Sequence, residues 1–288
     1  MSLDAYDDIS HAEALDLLRH WREINERKSD EVIHLYFHVL DDKKKLGNED
    51  HLISEQVLLA ALDSHMLDLG YMCLYSLSKQ FPDSLRVTRY HAALLEAEEK
   101  YDEALEIIDK IIKADETNAP ARKRRIAIFK AQGLIPEAVK ELVDYLKKFM
   151  ADVEAWQELC ELYLQLQEYS RAAFCAEELI LHQPHNHLMH QRLADIRYTM
   201  GGTENMEAAK SYYSQALKLN PDNIRALLGL FLATNNLMSF NKSSGGTSKR
   251  KDLWKLNQWA IAQITRKQRE AESTTGLHTM MSSLAISE

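Results

Sequence analysis

Four histidines, His182, His185, His187 and His190, lie within nine residues of one stretch, HQPHNHLMH. Imidazoles this close could hold zinc or copper. Such a site needs three or four ligands converging tetrahedrally, usually with a Cys or a carboxylate among them. Cys175 is a turn or more back along the chain, and no HExxH pair is present. Pro184 cannot continue a helix, so His182 closes one helix and His187 opens the next. The cluster therefore straddles a bend, which predicts a polar turn with one or two packed imidazoles. No metal site, no cofactor and no catalytic residue is expected, since Gly-rich phosphate loops and a GxSxG elbow are also missing.

A second chemical candidate is the basic run Arg122-Lys123-Arg124-Arg125, with Lys130 beyond it. On a helix these side chains diverge, so only some share a surface. The chain carries a net charge of −9, which argues against nucleic acid or a bare anionic lipid surface as the main partner, although a local basic patch could still serve. Acidic pairs such as Glu177-Glu178 read as a solvated face. Three cysteines with no CxxC spacing suit free thiols in a reducing cytosol. The acidic start, MSLDAYDD, lacks the apolar core of a signal peptide. The longest apolar run, Ala226 to Ala233, is far short of the roughly 20 residues of a membrane span.

What must position these residues is a repeat. Tyr101-Asp102-Glu103-Ala104 and Tyr169-Ser170-Arg171-Ala172 lie 68 residues apart, and Ala138 falls midway, 34 from each partner alanine. That register gives segments 51–84, 85–118, 119–152 and 153–186, then 187–223 with three extra residues, then a partial copy over 224–238. The eighth position reads Leu58, Ala92, Ile126, Cys160, Ala194; the twentieth reads Gly70, Ala104, Ala138, Ala172, Ala209. Small residues where two helices meet, aromatic wedges and a closing Pro match the tetratricopeptide (TPR) pattern. The predicted fold is all-α: a TPR solenoid in which stacked helical hairpins together make the core.

A divergent capping hairpin is expected over residues 1–50. Its first helix opens at the capping box Ser10-His11-Ala12-Glu13 and buries Ala14, Leu17, Leu18, Trp21 and Ile24. Its second runs roughly from Asp30 to Leu46. A Gly/Ser/Lys linker over 239–251 precedes an amphipathic helix over 252–272, with Trp254 and Trp259 beside its apolar face. Residues 273–288 read as a tail, either disordered or docked on a partner.

Positions 2, 5, 9 and 12 of each first helix line the concave groove of a TPR array. They place Arg86, Arg89, Lys123 and Lys130 toward its N-terminal end. Glu154, Gln157, Glu161, Gln191, Asp195 and Tyr198 come after them. The groove is expected to be basic, then acidic to polar, and to hold a protein segment. Some TPR proteins clamp the terminal carboxylate of chaperones with Lys at position 5 and Asn at position 9. Here the pairs are Arg89/Ala93, Lys123/Ala127 and Gln157/Glu161, so the asparagines are missing.

The stretches EAWQELCELYL (154–164), RAAFCAEELILHQPHNHL (171–188) and ARKRRIAIFKAQG (121–133) narrow the match. With GGTEN, ALKLN and the N-terminal RHWREINERKS, they resemble the family of subunit 2 of the endoplasmic reticulum membrane protein complex, from about His20 to about Ile264. The resemblance implies a non-enzymatic scaffold, peripheral on the cytoplasmic side of the endoplasmic reticulum membrane. Its implied partners are a soluble subunit of metalloprotease-like (MPN) fold, an Oxa1-like insertase subunit and other membrane subunits. Its implied task is to support insertion of tail-anchored and multi-span membrane proteins. A TPR co-chaperone or adaptor that binds a peptide of another cytosolic partner is the alternative.

Overall fold

The computed structural model describes residues 6, 9–38, 49–242 and 247–270, and every regular element among them is an α-helix. The chain forms two compact units, Met1–Glu141 and Leu142–Glu288. No helix of the described residues is long and apolar enough to cross a membrane.

In the first unit, α1 (His11–Glu23) opens on the capping box: the Ser10 amide donates to Glu13 Oε2 at 2.9 Å, and the Glu13 amide donates to Ser10 Oγ at 3.4 Å. Ala14, Leu18 and Trp21 are buried, but Ile24 is 51% exposed. The helix ends at Glu23 and Ile24 is only its cap, so the expected stripe stops one turn early. Helix α2 (Ser29–His38) begins close to the expected start; its expected end at Leu46 lies outside the described residues. Both helices share one core with α3 (Asp50–Asp63) and α4 (Leu67–Gln80). Arg27 Nε donates to Asp63 Oδ2 at 2.6 Å and Arg19 Nε to Glu49 Oε1 at 2.9 Å, tying this hairpin to the start and end of α3. Next come α5 (Leu85–Ala97), α6 (Tyr101–Ala114), α7 (Ala119–Ala131) and α8 (Ile135–Leu146), which crosses into the second unit.

The second unit continues with α9 (Val153–Gln165), α10 (Tyr169–His182), α11 (His187–Met200), α12 (Thr203–Leu219), α13 (Ile224–Lys242) and α14 (Thr247–Glu270). The expected linker over 239–251 is narrower than its composition suggests. α13 runs through Lys242 and α14 starts at Thr247, and only residues 243–246 lie outside the described residues. Hydrophobic positions Leu237, Met238 and Leu253 pack in one cluster and carry both helices toward that junction. Residues 271–288, which include the whole expected tail over 273–288, lie outside the described residues.

The period is visible in the backbone. His65, Glu99, Gly133, Gln167 and Gly201 all have positive φ, between 56° and 75°, and each is 34 residues from the next. A residue in that conformation turns a helix end back on itself and lets the next amide reach a carbonyl five residues earlier. Met66, Lys100, Leu134 and Glu168 do this, donating to Ala61, Leu95, Phe129 and Tyr163, each at 2.9 Å. Only two of the five turn residues are Gly, so three side chains tolerate a conformation that costs roughly 1–2 kcal/mol.

The tight helix–helix contacts fall where small residues recur. Ala104, Ala138, Ala172 and Ala209 are fully buried, as are Leu58, Ala92, Cys160 and Ala194. Within the second unit the two positions touch: Cys160 Sγ donates to the Ala172 carbonyl at 3.4 Å.

Candidate interaction surface

In the first unit, Arg86 on α5 is exposed, and its Nε donates to Glu55 Oε1 of α3 at 2.8 Å. Hydrogen bonds to Tyr90, then to Glu55, hold its guanidinium above the ordinary arginine range. Burial raises the Tyr90 phenol, and the Arg89 guanidinium lies 5.7 Å from the Tyr90 ring centre. Arg86 and Arg89 thus sit around one tyrosine, with an acid of the preceding repeat partly neutralising Arg86. Lys123 is half-buried and Lys130 exposed on α7.

The neighbours of Lys123 serve the fold. Arg122 is buried, with Nε donating to the Glu116 carbonyl at 2.9 Å. Arg124 donates to Glu96 at 3.1 Å. Arg125 bridges Asp109, at 2.9 Å, and Glu141. Burial pulls the Arg125 guanidinium down, and its two carboxylates outweigh that to leave it raised. The basic run is therefore mostly consumed between helices α5 to α8.

A 440 Å³ cavity extends this surface toward the N-terminal hairpin, lined by Trp21, Arg22, Leu52, Glu55, Leu59 and Arg86 among others. Leu52 and Leu59 are exposed. Leu52, Glu55 and Leu59 are positions 2, 5 and 9 of segment 51–84, so the register already points to them. A choice guided by basic charge alone passes over them.

In the second unit the residues separate. Glu154 and Glu161 on α9 are exposed, Gln157 is half-buried, and Arg192 reaches Glu161 at 3.2 Å. The α11 residues are spent internally. Gln191 is only 9% exposed, and its Oε1 accepts from Asn223 at 2.9 Å. Asp195 accepts from the Tyr213 hydroxyl at 2.6 Å and from Arg225 Nε at 3.1 Å. Burial, with the Asp195 hydrogen bond added to it, pushes the Tyr213 phenol far up. Tyr198 Oη accepts from Asn236 at 2.8 Å. Gln191, Asp195 and Tyr198 are thus bonded to α12, to α13 and to Asn223 just before it.

The histidines occupy separate environments. His182 and His185 are exposed; the His187 ring nitrogens each lie 3.0 Å from an amide nitrogen, of Asn220 and Asn223; His190 Nε2 lies 2.8 Å from the Pro184 carbonyl oxygen. Among the described residues no three His, Cys, Asp or Glu side chains are grouped to hold a metal. Cys73, Cys160 and Cys175 are buried; burial pushes the Cys175 thiol up to about 12, so it stays protonated near neutrality.

Sequence reading gives no weight to an apolar hollow of 630 Å³ in the second unit, lined by Val143, Leu146, Met150, Trp156, Leu159 and Phe174 among others. Met150 and Phe174 are largely exposed. Trp156 donates through Nε1 to the Met150 carbonyl at 2.9 Å and meets Phe174 edge-on at 6.1 Å between ring centres. Trp156 is legible as a repeat wedge; the hollow depends on the α8–α9 loop, whose path no periodicity specifies.

A family model described as "EMC2 TPR-like repeat domain" matches residues 66–218. ER membrane protein complex subunit 2 of Xenopus tropicalis is 46% identical over 264 residues, covering 91% of this chain and 88% of its own length. The chain belongs to the ER membrane protein complex subunit 2 family. The Dictyostelium discoideum protein of the same name is 32% identical, covering 88% of this chain and 82% of its own. The family model spans α4 to α12, so it takes in all the groove residues expected from the register, Arg86 to Tyr198, while α1, α2, α3, α13 and α14 lie beyond it. Among solved structures, the C-terminal part of a TPR repeat-containing protein from Cytophaga hutchinsonii matches with a TM-score of 0.58 at 14% identity, covering 88% of this chain and 99% of that one. That likeness shows the TPR fold.

Proposed function

We propose that this chain is a non-enzymatic scaffold subunit of the ER membrane protein complex, held peripherally on the cytoplasmic side of the membrane by partner subunits. The observation that carries the reading is 46% identity, over 91% of the chain, to a protein named as that subunit. In this reading the chain bridges the MPN-like soluble subunit to the membrane subunits, the Oxa1-like insertase subunit among them. It thereby supports insertion of tail-anchored and multi-span proteins. Repeat arrays present large surfaces built from few distinct parts, which suits a bridge. Each unit offers a candidate docking surface of its own: Arg86, Arg89, Lys123 and Lys130 in the first, and Glu154, Gln157 and Glu161 in the second. Affinity purification of the tagged chain from detergent-solubilised membranes tests this. A stoichiometric set of membrane subunits is expected. Recovery of chaperones alone, or of no partner, would overturn it.

A further inference from the structure

Charge is unevenly spread along the chain. Helix α14 carries seven Lys or Arg against two acidic residues, in a protein of net charge −9. Its inner side is fixed in place. Leu253, Asn257, Ala260 and Ile264 are buried, and the Asn257 amide donates to Thr234 Oγ1 at 2.9 Å and to the Phe231 carbonyl at 3.2 Å. Trp254 packs beside Met206, Leu237 and Met238. These contacts set the rotation of the helix and so determine what faces outward.

The outward face presents Lys251, Lys255, Trp259, Ala262 and Arg266, all exposed, at spacings that place them along one side of a helix. Asp252 is exposed beside them, and Asp222, which pairs with Lys267, also feels the charge of Arg266. Trp259 is 46% exposed, at the edge of a 290 Å³ hollow formed with Leu217, Lys218, Leu230 and Leu256. The two tryptophans of α14 thus differ: one completes the core and the other leaves much of its indole in water between cations.

We propose that this face of α14 rests on an anionic lipid surface. Lys251, Lys255 and Arg266 meet headgroups, and Trp259 enters at headgroup level. The cations lie in a line about 22 Å long on a convex helix, at 1.5 Å per residue, rather than converging on a cleft that would clasp a peptide. An amphipathic indole amid lysines and arginines is the side-chain combination that interfacial helices use. The apolar stripe of α14 is already buried in the protein, so insertion is limited to one aromatic and attraction is mainly coulombic. Binding is therefore reversible and sensitive to salt. This inference concerns the isolated chain and does not rest on its assembly into a complex.

Sedimentation of the purified full chain with phosphatidylcholine vesicles, with and without phosphatidylserine, tests it. Binding is expected only with phosphatidylserine and should weaken as salt rises. The triple variant Lys251→Glu, Lys255→Glu, Arg266→Glu should lose about tenfold or more in partitioning, with helicity unchanged; Trp259→Ala should lose less. Absence of phosphatidylserine-dependent binding at low salt would overturn the proposal, as would a triple variant that sediments like the parent. A triple variant that loses protein partners, while the parent ignores both vesicles, would assign the face to an acidic protein surface instead and equally overturn it.

Discussion

Helices α5 and α11 both offer groove positions of their repeats, Arg86 at position 2 and Gln191 and Asp195 at positions 5 and 9, yet these side chains meet different fates. On α5, Arg86 stays exposed while it bonds Glu55. On α11, Gln191 and Asp195 are bound to Asn223, Tyr213 and Arg225. The difference lies in the helix that packs next along the array. α13 is longer than the first helix of any full repeat, running 19 residues, and carries polar side chains that reach back to α11. Repeat position sets the direction in which a side chain leaves its helix. The next helix decides whether it remains available to a partner.

The largest expected effect tests whether α11 to α13 are locked together. A Cβ placed on Gly229 of α13 would lie 2.3 Å from the Tyr213 ring, and that ring is anchored through its hydroxyl to Asp195. Gly229→Ala should destabilise the second unit by about 3 kcal/mol, seen as a lowered thermal midpoint. An unchanged midpoint would mean that the ring moves freely and the lock is loose. Next, Asp195→Ala leaves Tyr213 and Arg225 without their acceptor and should cost about 2 kcal/mol. Glu154→Ala, at an exposed position, should stay within about 0.5 kcal/mol of the parent. Equal costs for the two would erase the distinction between α9 and α11.

A smaller effect compares turn residues that share a register. Gly133→Ala places a side chain at φ 75° and should cost about 1 kcal/mol. Gln167→Gly, at φ 59°, should be neutral or gain a few tenths of a kcal/mol, since relief of backbone strain competes with added chain entropy. The denaturant midpoint should fall for Gly133→Ala and hold or rise for Gln167→Gly. The smallest effect concerns the N-terminal hairpin. The Arg27 hydrogen bonds hold Asp63 below its ordinary value, and Arg19 does the same to Glu49. Depressed carboxylates add stability above their unfolded values, near pH 4, and lose it as pH falls through the folded ones. Both arginines are exposed, so solvent screening keeps the contribution small. Hydrogen-exchange protection in residues 11–38, relative to the intrinsic rate at each pH, should fall selectively on acidification, and Arg27→Ala should blunt that response.

Much of the fold is legible because small residues at position 20, and small or apolar ones at position 8, report a steric demand that recurs every 34 residues. The capping box at Ser10 is equally plain, since a local hydrogen-bond pattern needs no tertiary context. Ile24 escapes a periodic reading because the apolar spacing continues past the point where Glu23 ends the helix. The groove is only half legible. Register indicates Arg86 and Asp195 alike, and nothing in it shows that Asn223, Tyr213 and Arg225 would claim α11. Likewise, the run from Arg122 to Arg125 reads as a patch until its carboxylate partners, drawn from α5, α6 and α8, are placed.

Co-purification yield from solubilised membranes, for two charge-reversed variants, tests the scaffold account most directly. One reverses Arg86, Arg89, Lys123 and Lys130; the other reverses the exposed Lys110, Lys113 and Lys140 on second helices of their repeats. An interfacial charge pair broken on one side costs about 2–5 kcal/mol, so the first variant should lose partner subunits and pass to the soluble fraction while staying helical. The second should keep its partners. Full retention of partners by the first variant would contradict the account.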